Sequence, residues 1–128
     1  MSKQDLIIFG DGLSTRDYLD VDDLCNGILS AIQKDILGFQ KFHLSSGAEL
    51  SVNDLAKYVI DTCPFPNRTQ IKYLNKRPGE VERNFANYHK AKKILNFNPE
   101  HSIKDSLITT WKWFKDYSKN HKLTKLSI

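Results

Sequence analysis

The chain has 128 residues and a mass of 14.8 kDa, the size of a single domain spanning 1–128, with no room for a second independent core. Apolar residues make up 40% and charged residues 27%, which argues against global disorder, and no apolar run approaches the roughly 20 residues of a membrane span. Net charge is +4, but residues 1–88 hold 10 basic and 12 acidic side chains while residues 89–128 hold 9 and 3. The basic tail reads as the solvated lysine face of a helix rather than a nucleic-acid surface, because its lysines are scattered and no arginine follows Arg83. Met1-Ser2-Lys3-Gln4-Asp5 lacks the apolar stretch of a signal peptide. A cytoplasmic protein is expected, with neither nucleic acid nor membrane as partner.

The order of elements is strands alternating with helices. Leu6-Ile7-Ile8-Phe9 is a short apolar strand closed by the turn Gly10-Asp11-Gly12. A helix is predicted to start near Asp20 or Asp22, where acidic side chains suit the dipole. Its residues Val21, Leu24, Cys25, Ile28, Leu29 and Ile32 recur at helical spacing, as one buried face would. Gly38 closes that region. Phe42-His43-Leu44 reads as a strand ended by Ser45-Ser46-Gly47. Ser51 with Asp54 has the capping arrangement of a helix start, and Val52, Leu55, Ala56, Val59 and Ile60 form the apolar face behind it, stopped by Pro64 and Pro66. Ile71 and Tyr73 flank Lys72 in a short strand, and Arg77-Pro78-Gly79 is a loop. A short helix fits Tyr88 to Leu95, ended by Asn96 and Pro99. Ser102 with Asp105 repeats the cap signature before a last helix with Ile103, Leu107, Trp111 and Phe114 on one stripe. The fold class is therefore α/β: a small sheet of three or four short strands with about four helices. Cys25 and Cys63 form no C-x-x-C pair and lie at no zinc-ligand spacing from a histidine, so both are expected to be buried free thiols.

Self-contained catalytic patterns are scarce. There is no G-x-S-x-G, H-E-x-x-H, P-loop or calcium loop. Three blocks stand out: Gly10-Asp11-Gly12 through Arg16-Asp17-Tyr18 to the acidic helix start; Phe42 to Gly47 followed by Ser51-Val52-Asn53-Asp54; and Arg77-Pro78-Gly79-Glu80-Val81-Glu82-Arg83 followed by Lys90-Ala91-Lys92. Arg16 and Arg77 each fall in a loop near glycine, where backbone lets a ligand approach. A guanidinium grips phosphate through two parallel charge-assisted bonds. Glu80, three residues after Arg77, has the chemistry to accept hydrogen bonds from sugar hydroxyls. The plainer alternative is a surface arginine in a local ion pair with Asp17 or Glu80.

Taken in order and at compatible spacing, these blocks resemble the C-terminal, substrate-binding part of the NAD-dependent epimerase/dehydratase family. These are extended short-chain dehydrogenase/reductases acting on nucleotide sugars, with UDP-glucose 4-epimerase the nearest type. The resemblance runs from about Leu6 to Tyr117. It implies that Arg16 and Arg77 contact the nucleotide diphosphate, that Tyr18 lies in the same nucleotide-facing block, and that Glu80 sits near the ribose. It also implies that Leu6 to Phe9 passes beside the base. The sequence departs from the family where Asn87 replaces an aspartate, where His43-Leu44-Ser45-Ser46-Gly47 stands for N-x-G-S-G, and where Asn96 replaces a glycine; Asn tolerates a left-handed backbone.

The glycine-rich NAD turn of a Rossmann unit has no match in these 128 residues. Tyr88-His89-Lys90-Ala91-Lys92 has the spacing of the family's catalytic Tyr-x-x-x-Lys, but it lies in the S-K-A segment rather than at the catalytic helix. No catalytic, cofactor-binding or metal-binding residue is therefore assigned. NAD is implied for the intact family enzyme and no cofactor for this chain alone. The implied function is the nucleotide-diphosphate-sugar-binding part of a sugar epimerase or dehydratase, inactive by itself. A separate Rossmann-domain chain, or a second copy in a homo-oligomer, would cover the faces that meet the Rossmann half in the family. The alternative is a non-catalytic binding or self-association module from a truncated or split gene.

Overall fold

The computed structural model describes residues 5–62 and 69–120. Strand β1 (Leu6–Phe9) pairs in parallel with β4 (Ile71–Leu74), Leu6 opposite Ile71 and Phe9 opposite Leu74. A second sheet has β2 (Thr15–Arg16) at its centre, antiparallel to β3 (Leu50–Ser51) and parallel to β5 (Arg83–Asn84). Four helices complete the fold: α1 (Val21–Gln33), α2 (Val52–Thr62), α3 (His89–Leu95) and α4 (Ile103–Asn120). This is the small α/β fold read from the sequence. Among the described residues no helix is long and apolar enough to cross a membrane.

Local signals explain most boundaries. Asp20 Oδ1 accepts the Asp22 amide at 2.8 Å and starts α1. Ser51 Oγ accepts the Asp54 amide at 3.0 Å and Ser102 Oγ accepts that of Asp105 at 3.2 Å, so both capping signatures form. Asn96 ends α3 in the left-handed region, at φ 57° and ψ 26°, as its substitution for glycine requires. The stop expected from Pro64 and Pro66, and the burial expected of Cys63, lie outside the described residues.

The core is small. Ala91, Leu95 and Phe97 are buried, and Leu19, Ala31, Ile36, Phe42, Leu44 and Tyr88 pack round them. Tyr88 meets Phe97 edge-on, ring centroids 5.8 Å apart. A second contact joins α2 to α4, whose Ile103, Leu107, Trp111 and Phe114 are half-buried as the stripe predicts.

Three expectations are corrected. Phe42-His43-Leu44 is not a strand. It anchors to the core through Phe42 and Leu44, but no neighbouring strand pairs with it among the described residues, and a β assignment needs a ladder as well as propensity. Cys25 is exposed rather than buried. Helix α1 also presents the opposite face from the one expected. Val21, Leu24, Ile28, Leu29 and Ile32 are exposed, Ile32 at 74%, whereas Asp23 and Gly27 are buried. Periodicity identifies a stripe that favours burial, but it does not say which body supplies the cover. Here small and polar residues face the core. A Cβ added at Gly27 would stand 2.8 Å from Leu44 and 2.9 Å from Phe97, so only glycine admits that contact.

Asp23 fixes α1 to the segment before α4. Its carboxylate, 3% exposed, accepts the backbone amides of Glu100 and His101 at 3.1–3.2 Å and the His101 Nδ1 proton at 2.8 Å. Burial pushes the Asp23 pKa up, but these hydrogen bonds, His101's first, outweigh it and hold the carboxyl below its usual range. The same bond raises the His101 pKa above 6.5. A raised histidine pKa contributes stability that is complete below about 6.5 and lost as pH climbs through the folded-state value. The wild-type thermal midpoint is therefore expected to fall as pH rises above about 6.5 through the folded-state value, and His101→Gln is expected to flatten that fall. Parallel melts of the two proteins across this range check it.

Candidate functional site

The connection from β1 to β2 and the longer one from β4 to β5 run side by side. They are tied at one end where the Gly10 amide donates to Leu74 O at 2.8 Å, and at the other where the Thr15 amide donates to Glu82 O at 2.8 Å. Arg77 and Glu80 lie between these ties, and Arg16 lies one residue beyond the second. Arg77 and Glu80 thus belong to the β4–β5 connection, and Arg16 to strand β2 just past the second tie.

Each residue is held differently. Arg16 is in strand β2 and not in a loop, since its backbone is needed for the register with Leu50 and Asn84. Its guanidinium donates to Thr15 O at 2.7 Å. Arg77 lies over the Phe9 ring, Cζ 3.7 Å from the centroid, a cation–π contact that orients an exposed side chain. Among the described residues neither arginine is in an ion pair, so the local pairing with Asp17 or Glu80 does not form. Asp17 is instead engaged with the Ser46 amide at 2.8 Å, the Ser46 hydroxyl at 2.6 Å and the Gly47 amide at 3.0 Å. Glu80 has a buried Oε2 that accepts no hydrogen bond among the described residues, a costly state for a carboxylate oxygen.

A cavity of about 190 Å³ opens beside Arg16, lined also by Asp17, Leu44, Ser45, Asn84 and Phe85. Arg77, Glu80 and the half-buried Tyr18 are not part of its lining. Chemically, these residues offer two cations without carboxylate partners among the described residues, one aromatic ring and one buried acceptor. That set suits an elongated anion carrying hydroxyl groups. Among the described residues no cluster of three histidine, cysteine or acidic side chains could hold a metal ion.

Sequence reading placed Arg83 in a motif block without a role and passed over Glu49. Arg83 donates from Nε to Glu49 Oε2 at 3.0 Å and from Nη2 to Oε1 at 2.5 Å, while the Thr15 hydroxyl donates to Oε2 at 2.5 Å. Arg83 above all, then Thr15, hold the Glu49 carboxyl down at about 2. The partners are 34 residues apart, so no local pattern announces the contact.

The other glycine and tyrosine signals serve packing. A Cβ at Gly12 would come within 2.0 Å of Asn53 Oδ1, and the Asn53 carboxamide donates to Asp11 O at 3.0 Å. This turn leads into β2 rather than a helix N-terminus, so it does not fit the glycine seat of a dinucleotide pyrophosphate. Tyr88 is packed against Phe97 and Gly47, where an added Cβ would meet its ring at 2.7 Å. Asn87, in place of the family's aspartate, accepts the His89 amide at 2.8 Å and so supports the start of α3.

The fold is that of sugar-nucleotide epimerases and dehydratases. A family profile described as GDP-mannose 4,6 dehydratase matches residues 1–110, and the chain belongs to that family. The UDP-glucuronate 4-epimerase of Thermodesulfobacterium geofontis is 32% identical over 110 residues, which are 85% of this chain and 33% of that protein. The UDP-glucose 4-epimerase of Bacillus subtilis is 26% identical over 86% of this chain and 34% of its own length. Among solved structures, the Thermotoga maritima UDP-glucose 4-epimerase with UDP-glucose superposes with a TM-score of 0.80 at 30% identity, covering 90% of this chain and 36% of that one. The Stenotrophomonas enzyme with bound NAD and formylated UDP-arabinopyranose gives 0.83 at 25% identity, over 91% and 37%. The chain thus spans about a third of the length of the curated relatives it matches.

Proposed function

We propose that this chain is a single nucleotide-sugar-binding unit, the diphosphate-gripping part of an NAD-dependent sugar epimerase or dehydratase. The observation that supports the reading is this set of groups: among the described residues, Arg16 on β2 and Arg77 on the β4–β5 connection have no carboxylate partner, and the buried Glu80 Oε2 accepts no hydrogen bond. Arg16 and Arg77 grip the diphosphate, Phe9 and Tyr18 flank the nucleotide, and Glu80 accepts from a ribose hydroxyl, which relieves its buried oxygen. NAD and the catalytic Tyr-Lys pair belong to the remaining two thirds of the relatives' length; this chain's residues bind and orient.

The exposed stripe of α1 supports a partner. Val21, Leu24, Ile28, Leu29 and Ile32 continue into Leu37 and Phe39, the last 89% exposed. Apolar surface this continuous marks an interface. The body that fits it is the Rossmann half of such an enzyme. A second reading, self-association of a non-catalytic module, draws on the same stripe.

Calorimetric titration of the chain tests the first reading. UDP and UDP-glucose are expected to bind, and uridine, lacking the diphosphate, at least tenfold more weakly. Equal binding of UDP and uridine, or none of either, overturns it. Sedimentation distinguishes the second: a concentration-dependent dimer unaffected by UDP favours self-association.

A further inference from the structure

Strands β2, β3 and β5 are two residues each. Ladders this short are marginal alone. Two residues per strand supply few backbone bonds, and β3 and β5 are both edges with β2 between them. The side chains closing this sheet are those of Glu49, Thr15 and Arg83. Glu49 stands just before β3; its carboxylate accepts from Thr15 on the central strand and takes the Arg83 guanidinium of the far strand in a two-point grip. One carboxylate thus spans both strand gaps, about 5 Å each.

The register separates this grip from the site. Thr15 is opposite Ser51 and Arg83, while Arg16 is opposite Leu50 and Asn84. Successive side chains point to opposite faces. The Glu49 grip therefore lies on the Thr15 face, and Arg16 and Asn84, both lining the cavity, lie on the other.

We propose that Glu49 is a positioning residue: through Thr15 and Arg83 it clamps β2 between its neighbours and so aims Arg16 at the diphosphate, without touching the ligand itself. The proposal deepens the nucleotide-sugar reading and rests on it for the identity of the ligand. The cost of leaving Arg83 without its carboxylate falls on the sheet, and the consequence at the opposite face is a mobile Arg16.

Two measurements on the full chain test this. In a double-mutant cycle read by UDP titration, Glu49→Ala is expected to weaken UDP about tenfold in the wild-type background and less than about twofold when Arg16 is already alanine, because contacting networks couple while independent sites add. In amide hydrogen exchange, Glu49→Ala is expected to cut protection at least tenfold at Thr15 and Asp17, which bond to Glu82 O and Asn84 O, and to spare Leu6 and Gly10 on the β1–β4 sheet. Additive losses in the cycle, or unchanged exchange at Thr15 and Asp17, overturn the proposal. If Leu6 and Gly10 lose protection as well, Glu49→Gln replaces the alanine variant, and wild-type exchange at Thr15 in that protein overturns the proposal too. Failure of the wild-type chain to bind UDP sinks the nucleotide reading instead, and the exchange experiment then decides the clamp on its own.

Discussion

Phe97→Ala is expected to remove about 3–5 kcal/mol of stability, the usual cost of emptying a buried aromatic position. Typical native stabilities are only about 5–15 kcal/mol, so much of the total is at stake. Phe97 is 3% exposed, closes the cluster with Ala91 and Leu95, and lies where Gly27 admits it against α1. The edge-on contact with Tyr88 is lost as well. With only a handful of buried apolar side chains in the described residues, neighbours have little material to collapse into the space. Thermal unfolding followed by circular dichroism is expected to show a transition shifted down steeply or no longer cooperative. A shift of only a few degrees would mean that the α1–α3 cluster does not hold the fold.

Arg16→Ala and Arg77→Ala are each expected to weaken UDP binding by roughly 1.5–3 kcal/mol, the range for hydrogen bonds to a charged group, or about 10- to 150-fold. The two losses should differ in origin. Arg16 sits in a strand with its guanidinium bonded to Thr15 O, so it is held ready. Arg77 is exposed and lies over the Phe9 ring, and its replacement also strips the cation from that ring. Arg77→Lys should recover little, since an ammonium presents no planar fork to a phosphate. Calorimetry with UDP on the three variants checks this; unchanged affinity in both alanine proteins would mean the diphosphate assignment is wrong.

What could be read from the amino acids alone follows the range of the forces involved. β1, β4, the serine caps of α2 and α4, and the left-handed Asn96 are written in neighbouring residues, and each forms as expected. The two-residue strands β2, β3 and β5 have no such signature. They exist because two connections run together and carry Thr15 and Arg16 past Arg83 and Asn84. Phe42-His43-Leu44 has a strand's composition and, among the described residues, no strand to pair with. The arginines and Glu80 were singled out by motif order. Glu49–Arg83, Asp17 on Ser46–Gly47 and Asp23 on Glu100–His101 were not, because each joins residues 29 to 78 positions apart. Aspartates at a helix start look alike whether they serve the dipole or, like Asp23, reach across the molecule.

Helix α1 turns its greasy side outward and is moored by a carboxylate and a glycine. Its attachment rests on the Asp23 hydrogen bonds to Glu100 and His101 and on the close fit of Gly27 to Leu44 and Phe97, while most of its apolar stripe is left exposed. A body laid against that stripe would hide Ile28, Ile32 and Phe39 from water, so its arrival and the stiffening of this helix would be a single event.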